Sequence, residues 1–352
     1  MNNFSYSLAP EVDGALEQIG EGPGSTTAEG FAKFIAGGTN LLDLMKENVM
    51  RPRQLVDINR LPLAGITELP DGGLRLGATA RNAHTAWHPL VRERYPLLSA
   101  AILAAASPQV RNMASNGGNL LQRTRCYYFY DSQVPCNKRE PGTGCPPREG
   151  GLARQHAILG ASEHCVATHP SDMAVALAAL DAVVQVRSPR GGRSIPILEF
   201  HRLPGDRPDI DTTLAHDELI TSIDLPPAAG FAAHSSYLKI RERASYAFAL
   251  VSVAAALELE EDGRTVRTAR IAVGGVAHKP WRDLAAESLL AGQPATAEAF
   301  GAAAQDVLKG AQACGEGPGS NAFKIPLARR AVVRALQMAT RGILSNTGED
   351  RA

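Results

Sequence analysis

Between Thr124 and about Gly160 the chain loses the hydrophobic periodicity from which helices and strands are built. Four of its five cysteines lie in or just past this stretch, at Cys126, Cys136, Cys145 and Cys165, with nine, eight and nineteen residues between them. A segment without an apolar face gains little by burial, so bound metal is an attractive source of its folding energy. The start, MNNFSYSLAPEVDGAL, lacks a basic segment followed by an apolar one, and no apolar run approaches a membrane span. The expectation is therefore a chain made in the cytoplasm without its own export signal. In that reducing compartment clustered cysteines favour metal or redox chemistry over disulfides.

The spacing leaves the metal open. Zinc ribbons use short CxxC knuckles and ferredoxins a C-x2-C-x2-C run, and the sequence has neither. Four sulfur ligands with no spaced histidine fit iron–sulfur better than catalytic zinc, and structural zinc is the rival. Pro135, Pro146 and Pro147 stiffen the loop. Arg123, Arg125, Lys138, Arg139, Arg148 and Arg154 offset the charge of four thiolates. His156, His164 and His169 read as polar neighbours rather than ligands. Cys314 is given no role.

Around this loop the pattern is α+β. Short strands are expected at Phe4–Leu8, Phe31–Ile35, Gln54–Asp57 and Leu74–Gly77, and helices at Asp13–Ile19, Leu41–Lys46 and Tyr95–Ala106. Regular structure resumes after the loop with a helix from Ser171, its N-cap, to about Asp181, then strands at 182–186 and within 217–225. Beyond a boundary near 228–233, strands at 235–241, 249–258 and 265–273 precede alanine-rich helices at 285–291, 296–308 and 327–341.

Two glycine turns point to a ligand. Ala36-Gly37-Gly38-Thr39-Asn40 follows an apolar strand and starts a helix. Ser115-Asn116-Gly117-Gly118-Asn119 repeats the chemistry between apolar positions. Successive N–H groups there can cradle a phosphate, although a tight connection needs the same glycines. Neither turn is GxGxxG, which disfavours a Rossmann site. GxSxG, HExxH and P-loop motifs are absent, so any chemistry belongs to a cofactor. Lys plus Arg and Asp plus Glu are both 36, which argues against nucleic-acid binding.

These turns, followed by Ser171-Asp172, resemble the FAD-binding pattern of the xanthine dehydrogenase family. Tyr237-Leu-Lys-Ile-Arg-Glu-Arg-Ala-Ser-Tyr-Ala-Phe-Ala and Val273-Gly-Gly-Val-Ala-His-Lys-Pro-Trp281 resemble its C-terminal flavoprotein domain. The loop, with LLQRTRCYYFYD and THPSDMAVALAALDA, closely resembles the FAD and [4Fe-4S] subunit of bacterial heterotrimeric, periplasmic-type molybdenum aldehyde oxidoreductases. This implies a two-subdomain FAD-binding domain of vanillyl-alcohol-oxidase (PCMH-like) type over 1–230. Its subdomains are about 1–58 and 59–230, with a [4Fe-4S] insertion at 123–168. A smaller α/β domain of CO-dehydrogenase-flavoprotein type over 231–345 and a tail at 346–352 complete the chain.

The resemblance also implies site residues and partners. Ile35, Ala36, Gly37, Gly38, Thr39, Asn40 and Leu41 wrap the FAD diphosphate. Ser115, Gly118 and Asn119 form a second wall, with Arg111, Gln122 and Ile223 as further carry-overs. Gln122 stands where relatives often have a small hydroxyl residue. Asp172 binds ribityl or sugar hydroxyls, Lys239 lies near the flavin, and Tyr246 either lines its face or sits in the core. Cys126, Cys136, Cys145 and Cys165 hold the [4Fe-4S] cluster. A large molybdenum-cofactor subunit oxidises an aldehyde, and a small subunit with two [2Fe-2S] clusters feeds electrons to FAD and on to an external acceptor. Such a complex is periplasmic by co-export with a partner, or cytoplasmic. The alternative is the FAD subunit of another molybdenum hydroxylase, of xanthine or aromatic-CoA type, with a purely structural metal loop.

Overall fold

The computed structural model describes residues 1–20, 22, 30–228 and 230–342. The tail expected at 346–352, and the last three residues of the expected C-terminal domain, lie outside the described residues.

The first sheet is parallel, with order β1-β3-β2: β1 (Ser5–Leu8), β2 (Ala32–Ile35) and β3 (Gln54–Asp57). Parallel neighbours need crossovers, and helices Val12–Ile19 and Leu41–Lys46 lie in them. Successive residues of a strand face opposite ways. Leu55 and Val56 accordingly enter two different small cores.

The second sheet is antiparallel, with order β4-β5-β8-β6-β7: β4 (Ile66–Glu68), β5 (Leu74–Gly77), β6 (Val183–Ser188), β7 (Gly191–Pro196) and β8 (Leu219–Leu225). The third is also antiparallel, with order β12-β11-β10-β9: β9 (Ser235–Ile240), β10 (Val251–Leu259), β11 (Val266–Gly274) and β12 (Trp281–Arg282).

Strand β10 reads as a continuous apolar run because both its faces are covered. Val251, Val253, Ala255 and Leu257 enter the C-terminal core with helices Ala297–Val307 and Lys324–Arg341. Ala254 and Ala256 turn to the other side and join the core of the second sheet. Helix Asp172–Ala179 belongs to that second core, and all eight of its residues are buried. A helix that is apolar on every face beyond its first residue needs such enclosure. Ser171 Oγ caps it by accepting from Ala174 N at 2.9 Å, as the sequence predicts.

Two expectations change. The Gly/Asn-rich stretch near 110–121 is not one turn but two short helices, Pro108–Met113 and Asn116–Leu120, capped by Ser107 and Ser115. The cysteine loop contains a turn of helix at Tyr127–Tyr130 and a 3-10 turn at Pro146–Glu149.

The loop is fastened by the C-terminal domain. Asn321 Nδ2 donates to His156 O at 3.1 Å and to Ala157 O at 3.0 Å. Lys324, fully buried, donates from Nζ to His156 O at 2.8 Å and to Gly275 O. Burial pushes the Lys324 ammonium down to about 7. Its unfolded value is about 10.4, so from pH 7 to 10 the unfolded chain holds a proton that the folded chain lacks. Stability therefore rises with pH across that window. The unfolding free energies of the parent and Lys324→Met should diverge by about 2 kcal/mol in the parent's favour from pH 7 to pH 9. Urea denaturation at both pH values measures this, and parallel behaviour of the two proteins would refute it.

Candidate functional site

A cavity of about 730 Å³ opens between the glycine turn after β2 and the two short helices, within the usual range of about 300–1,000 Å³ for ligand sites. Gly38 sits at φ +71, a conformation that glycine reaches without strain. Gly37 packs so closely on the second wall that a Cβ would lie 1.9 Å from Met113 O. Ser115 Oγ accepts from Gly118 N at 3.2 Å. Asn119 is fixed by Asn82, which accepts from its Nδ2 at 2.6 Å, and by Ser171, which donates to its Oδ1 at 2.6 Å.

Asp172 reaches the cavity from the first turn of the buried helix. Tyr237 Oη donates to its Oδ1 at 2.6 Å and Lys239 Nζ to its Oδ2 at 2.8 Å. Both partners stand on β9, so this pair joins the C-terminal domain to the cavity wall. Lys239 and Asp172 side chains are each 4% exposed.

One end of the cavity is cationic. Burial, and then repulsion from Arg123, push the Lys33 ammonium down to about 8. Arg123 Nε donates to Asp211 Oδ2 at 2.6 Å, and Lys138 Nζ contacts Asp211 Oδ1. Burial pushes the Asp211 carboxyl up, but these two cations outweigh it and hold the group well below the usual range. Nη1 and Nη2 of Arg123 are buried without a hydrogen-bond partner. The mouth carries Tyr246, at φ +52 and 60% exposed, and Phe248. Tyr246 is thus not a core residue.

All four loop cysteines line a second space, of about 10 Å³. Burial raises the Cys126 and Cys165 thiols and pushes Cys145 up to about 12. His156 Nε2 lies 3.1 Å from Cys126 Sγ, and His278 Nε2 lies 3.3 Å from Cys165 Sγ. Among the described residues no three His, Cys, Asp or Glu side chains are gathered closely enough to hold a single metal ion. A gap of about 20 Å³ separates the two spaces, with Cys126 and His156 on its wall together with Asp172 and Phe248, which also line the large cavity.

Residues 2–228 match the family described as the FAD binding domain in molybdopterin dehydrogenase, and residues 236–339 match the CO dehydrogenase flavoprotein C-terminal domain. The chain is an FAD-binding subunit of the xanthine dehydrogenase family. It is similar to the aldehyde oxidoreductase FAD-binding subunit PaoB of Escherichia coli (strain K12), with 50% identity over 88% of this chain and 91% of that one. The putative xanthine dehydrogenase FAD-binding subunit XdhB of the same organism is 28% identical over 87% of this chain and 85% of its own. Among solved structures, carbon monoxide dehydrogenase from Hydrogenophaga pseudoflava lacking the Mo-pyranopterin moiety superimposes with a TM-score of 0.71 at 28% identity, covering 96% of this chain and 97% of that one. The FAD-binding subunit is therefore an oxidoreductase component, and among its described residues no helix is long and apolar enough to cross a membrane.

The subunit brings most of the expected FAD residues to one cavity. Ile35 to Leu41, Arg111, Ser115, Gly118, Asn119, Gln122 and Asp172 all line it. Ile223 does not: it is fully buried in β8, paired with Leu76 and Val184. Lys239 meets the cavity through Asp172. Sequence reasoning missed Lys33 and Asp211. It also treated the loop cations as free counter-charges. Arg125 is paired with Asp43, Arg154 with Glu242, and Arg139 donates to the carbonyls of Tyr128 and Phe129.

Breaking one side of a buried ion pair leaves the other charge uncompensated, at a cost of about 3–5 kcal/mol. Lys239→Met should destabilise the subunit by that amount in urea denaturation. Adding Asp172→Asn should recover part of the loss, and a double variant less stable than Lys239→Met would contradict the pairing.

Proposed function

We propose that the chain is the FAD- and [4Fe-4S]-containing electron-transfer subunit of a molybdenum-dependent aldehyde oxidoreductase, which converts an aldehyde to a carboxylic acid. The observation that carries this reading is the 50% identity to a named aldehyde oxidoreductase FAD-binding subunit. Its partners in this reading are a large molybdenum-cofactor subunit, a small subunit with two [2Fe-2S] clusters and an external electron acceptor. The domain limits at 230 and 345 and the subdomain limit near 58 belong to the same reading.

The large cavity suits FAD. Lys33 repels Arg123, and Arg123 has two unpartnered N–H groups, so this end gains from a bound diphosphate. Ile35 to Leu41 supply the first wall, and Arg111, Ser115, Gly118, Asn119 and Gln122 the second. Asp172 offers its free lone pairs to ligand hydroxyls, and Lys239 and Tyr237 fix its angle. Tyr246 and Phe248 are aromatic surfaces open to a flavin ring. Bound FAD supplies the electron exchange that no side chain here can perform.

The four cysteines suit an iron–sulfur cluster by donor type, since thiolates are its usual ligands. The space between them holds about one water, so binding requires the side chains to turn outward. The net positive charge of Arg123 and Lys138 with Asp211 lies close by, and Lys138 lowers the Cys165 thiol against the effect of burial.

Anaerobic purification of the complex, with iron, sulfide and flavin analysis and EPR, tests this reading. About eight iron per FAD is expected, four from the two [2Fe-2S] clusters of the small subunit and four from this chain, and about four iron, with or without zinc, would overturn the cluster. Cys136→Ser should lose iron and keep FAD. Loss of the Lys33 charge above its lowered value should weaken FAD binding as pH rises through 8. One charge-assisted contact corresponds to roughly tenfold in affinity. In Lys33→Met that pH dependence should vanish, as read by flavin fluorescence, and its persistence would remove Lys33 from the site.

A further inference from the structure

Two arginines among the described residues carry buried guanidinium nitrogens without a hydrogen-bond partner, and both line the large cavity. Arg123, with Nη1 and Nη2 open, serves the diphosphate end. At Arg125 the open group is Nε. The rest of that side chain is held. Its Nη1 donates to Asp43 Oδ2 at 2.7 Å and to Tyr130 Oη at 2.6 Å, and Tyr130 Oη donates in turn to Asp43 Oδ2 at 2.9 Å. Asp43 lies in the helix that follows the glycine turn. The guanidinium carbon sits 4.9 Å from the ring centre of Phe248 and 5.5 Å from that of Tyr130. A cation so placed is attracted by the aromatic face. None of Arg125, Asp43, Tyr130 and Phe248 lines the space between the thiols, so these anchors are separate from it.

Resting on the FAD reading above, and not on the cluster, we infer that Arg125 donates from Nε to the flavin end of bound FAD and thereby raises its reduction potential. Phe248 fixes which end this is. It stands at the cavity mouth with Tyr246, where the aromatic surfaces await the flavin ring, and with Arg125 and Asp172 it also lines the small gap behind the cavity. A buried N–H without a partner is a rare defect, and an acceptor on the ligand removes it. Reduction adds negative charge to the flavin ring system, so a charge-assisted donor there binds the reduced form more strongly. The other charged groups at the mouth are committed. Glu242 is held by Arg154 at 3.0 Å, Arg243 Nε donates to Tyr246 O at 2.9 Å, and Arg111 Nη1 donates to Ala105 O at 2.5 Å. Asp43 meets the Arg125 guanidinium at Nη1 and leaves Nε open.

The test uses the intact complex carrying Arg125→Met or Asp43→Asn. FAD content is measured first, and the FAD potential is then followed by flavin absorbance during redox titration. Arg125→Met should keep FAD but lose about tenfold in its preference for the reduced form, which lowers the two-electron potential by about 30 mV. Asp43→Asn removes a negative charge and leaves the Nε donor, so its potential should rise. A pair with only a structural role would move both potentials the same way or neither. An unmoved potential in Arg125→Met overturns the inference, even with weaker FAD binding, because the contact would then lie on a part of FAD that keeps its charge. A falling or unmoved potential in Asp43→Asn overturns it as well, including where Arg125→Met fails to hold FAD. A parent complex without FAD removes the FAD reading itself.

Discussion

Asp172 and Lys239 form a buried ion pair at the place where three parts of the protein meet. Asp172 begins an eight-residue helix buried on every side. Lys239 and Tyr237 project from β9 of the C-terminal domain and occupy both carboxylate oxygens. A charge this deep persists only when its partner is held firmly. Around it, Ala254, Ala256 and Ala272 let the third sheet approach the second core closely. The cavity wall, the central helix and the C-terminal sheet are therefore not independent units. A change in how the domains dock reaches the cavity through this carboxylate as well as through Tyr246 and Phe248 at its mouth.

The cysteine loop follows a different logic. Its order comes from polar contacts reaching across the chain: Lys324 and Asn321 on its main chain, Arg139 on its carbonyls, and Lys138 on Asp211. Each cation has a definite acceptor, which is how buried charges become tolerable. The loop is therefore a polar crossing point between the two domains, with its thiols on the inside.

Much of the scaffold was legible because it repeats simple periods. The strand-turn-helix around Gly37 and Gly38, the Ser171 cap and the two-faced β10 all announce themselves locally. Strand β7 does not, because GGRSIP at a sheet edge is largely exposed and has no apolar alternation to read. Nor do the two helices around Ser115, each only five or six residues long. At the site, the two glycine turns were legible in the residues themselves, Arg111, Asp172, Lys239 and Tyr246 only through the resemblance, and Lys33 and Asp211 not at all. Asp211 arrives from the segment before β8 and is visible only once Arg123 and Lys138 have closed on it. Ile223 shows the converse. The resemblance places it at the ligand, but in β8 it is buried in the core of the second sheet.

The contact between Gly37 and Met113 bears on how such a site tolerates change. Where two walls meet through side chains, each substitution alters the gap between them. Here they meet main chain to main chain, and the missing Cβ lets them do so. The width of the cleft is thus set by backbone geometry, much as a hinge pin sets the clearance of a door. Lining side chains can then drift in size and polarity while the aperture stays constant.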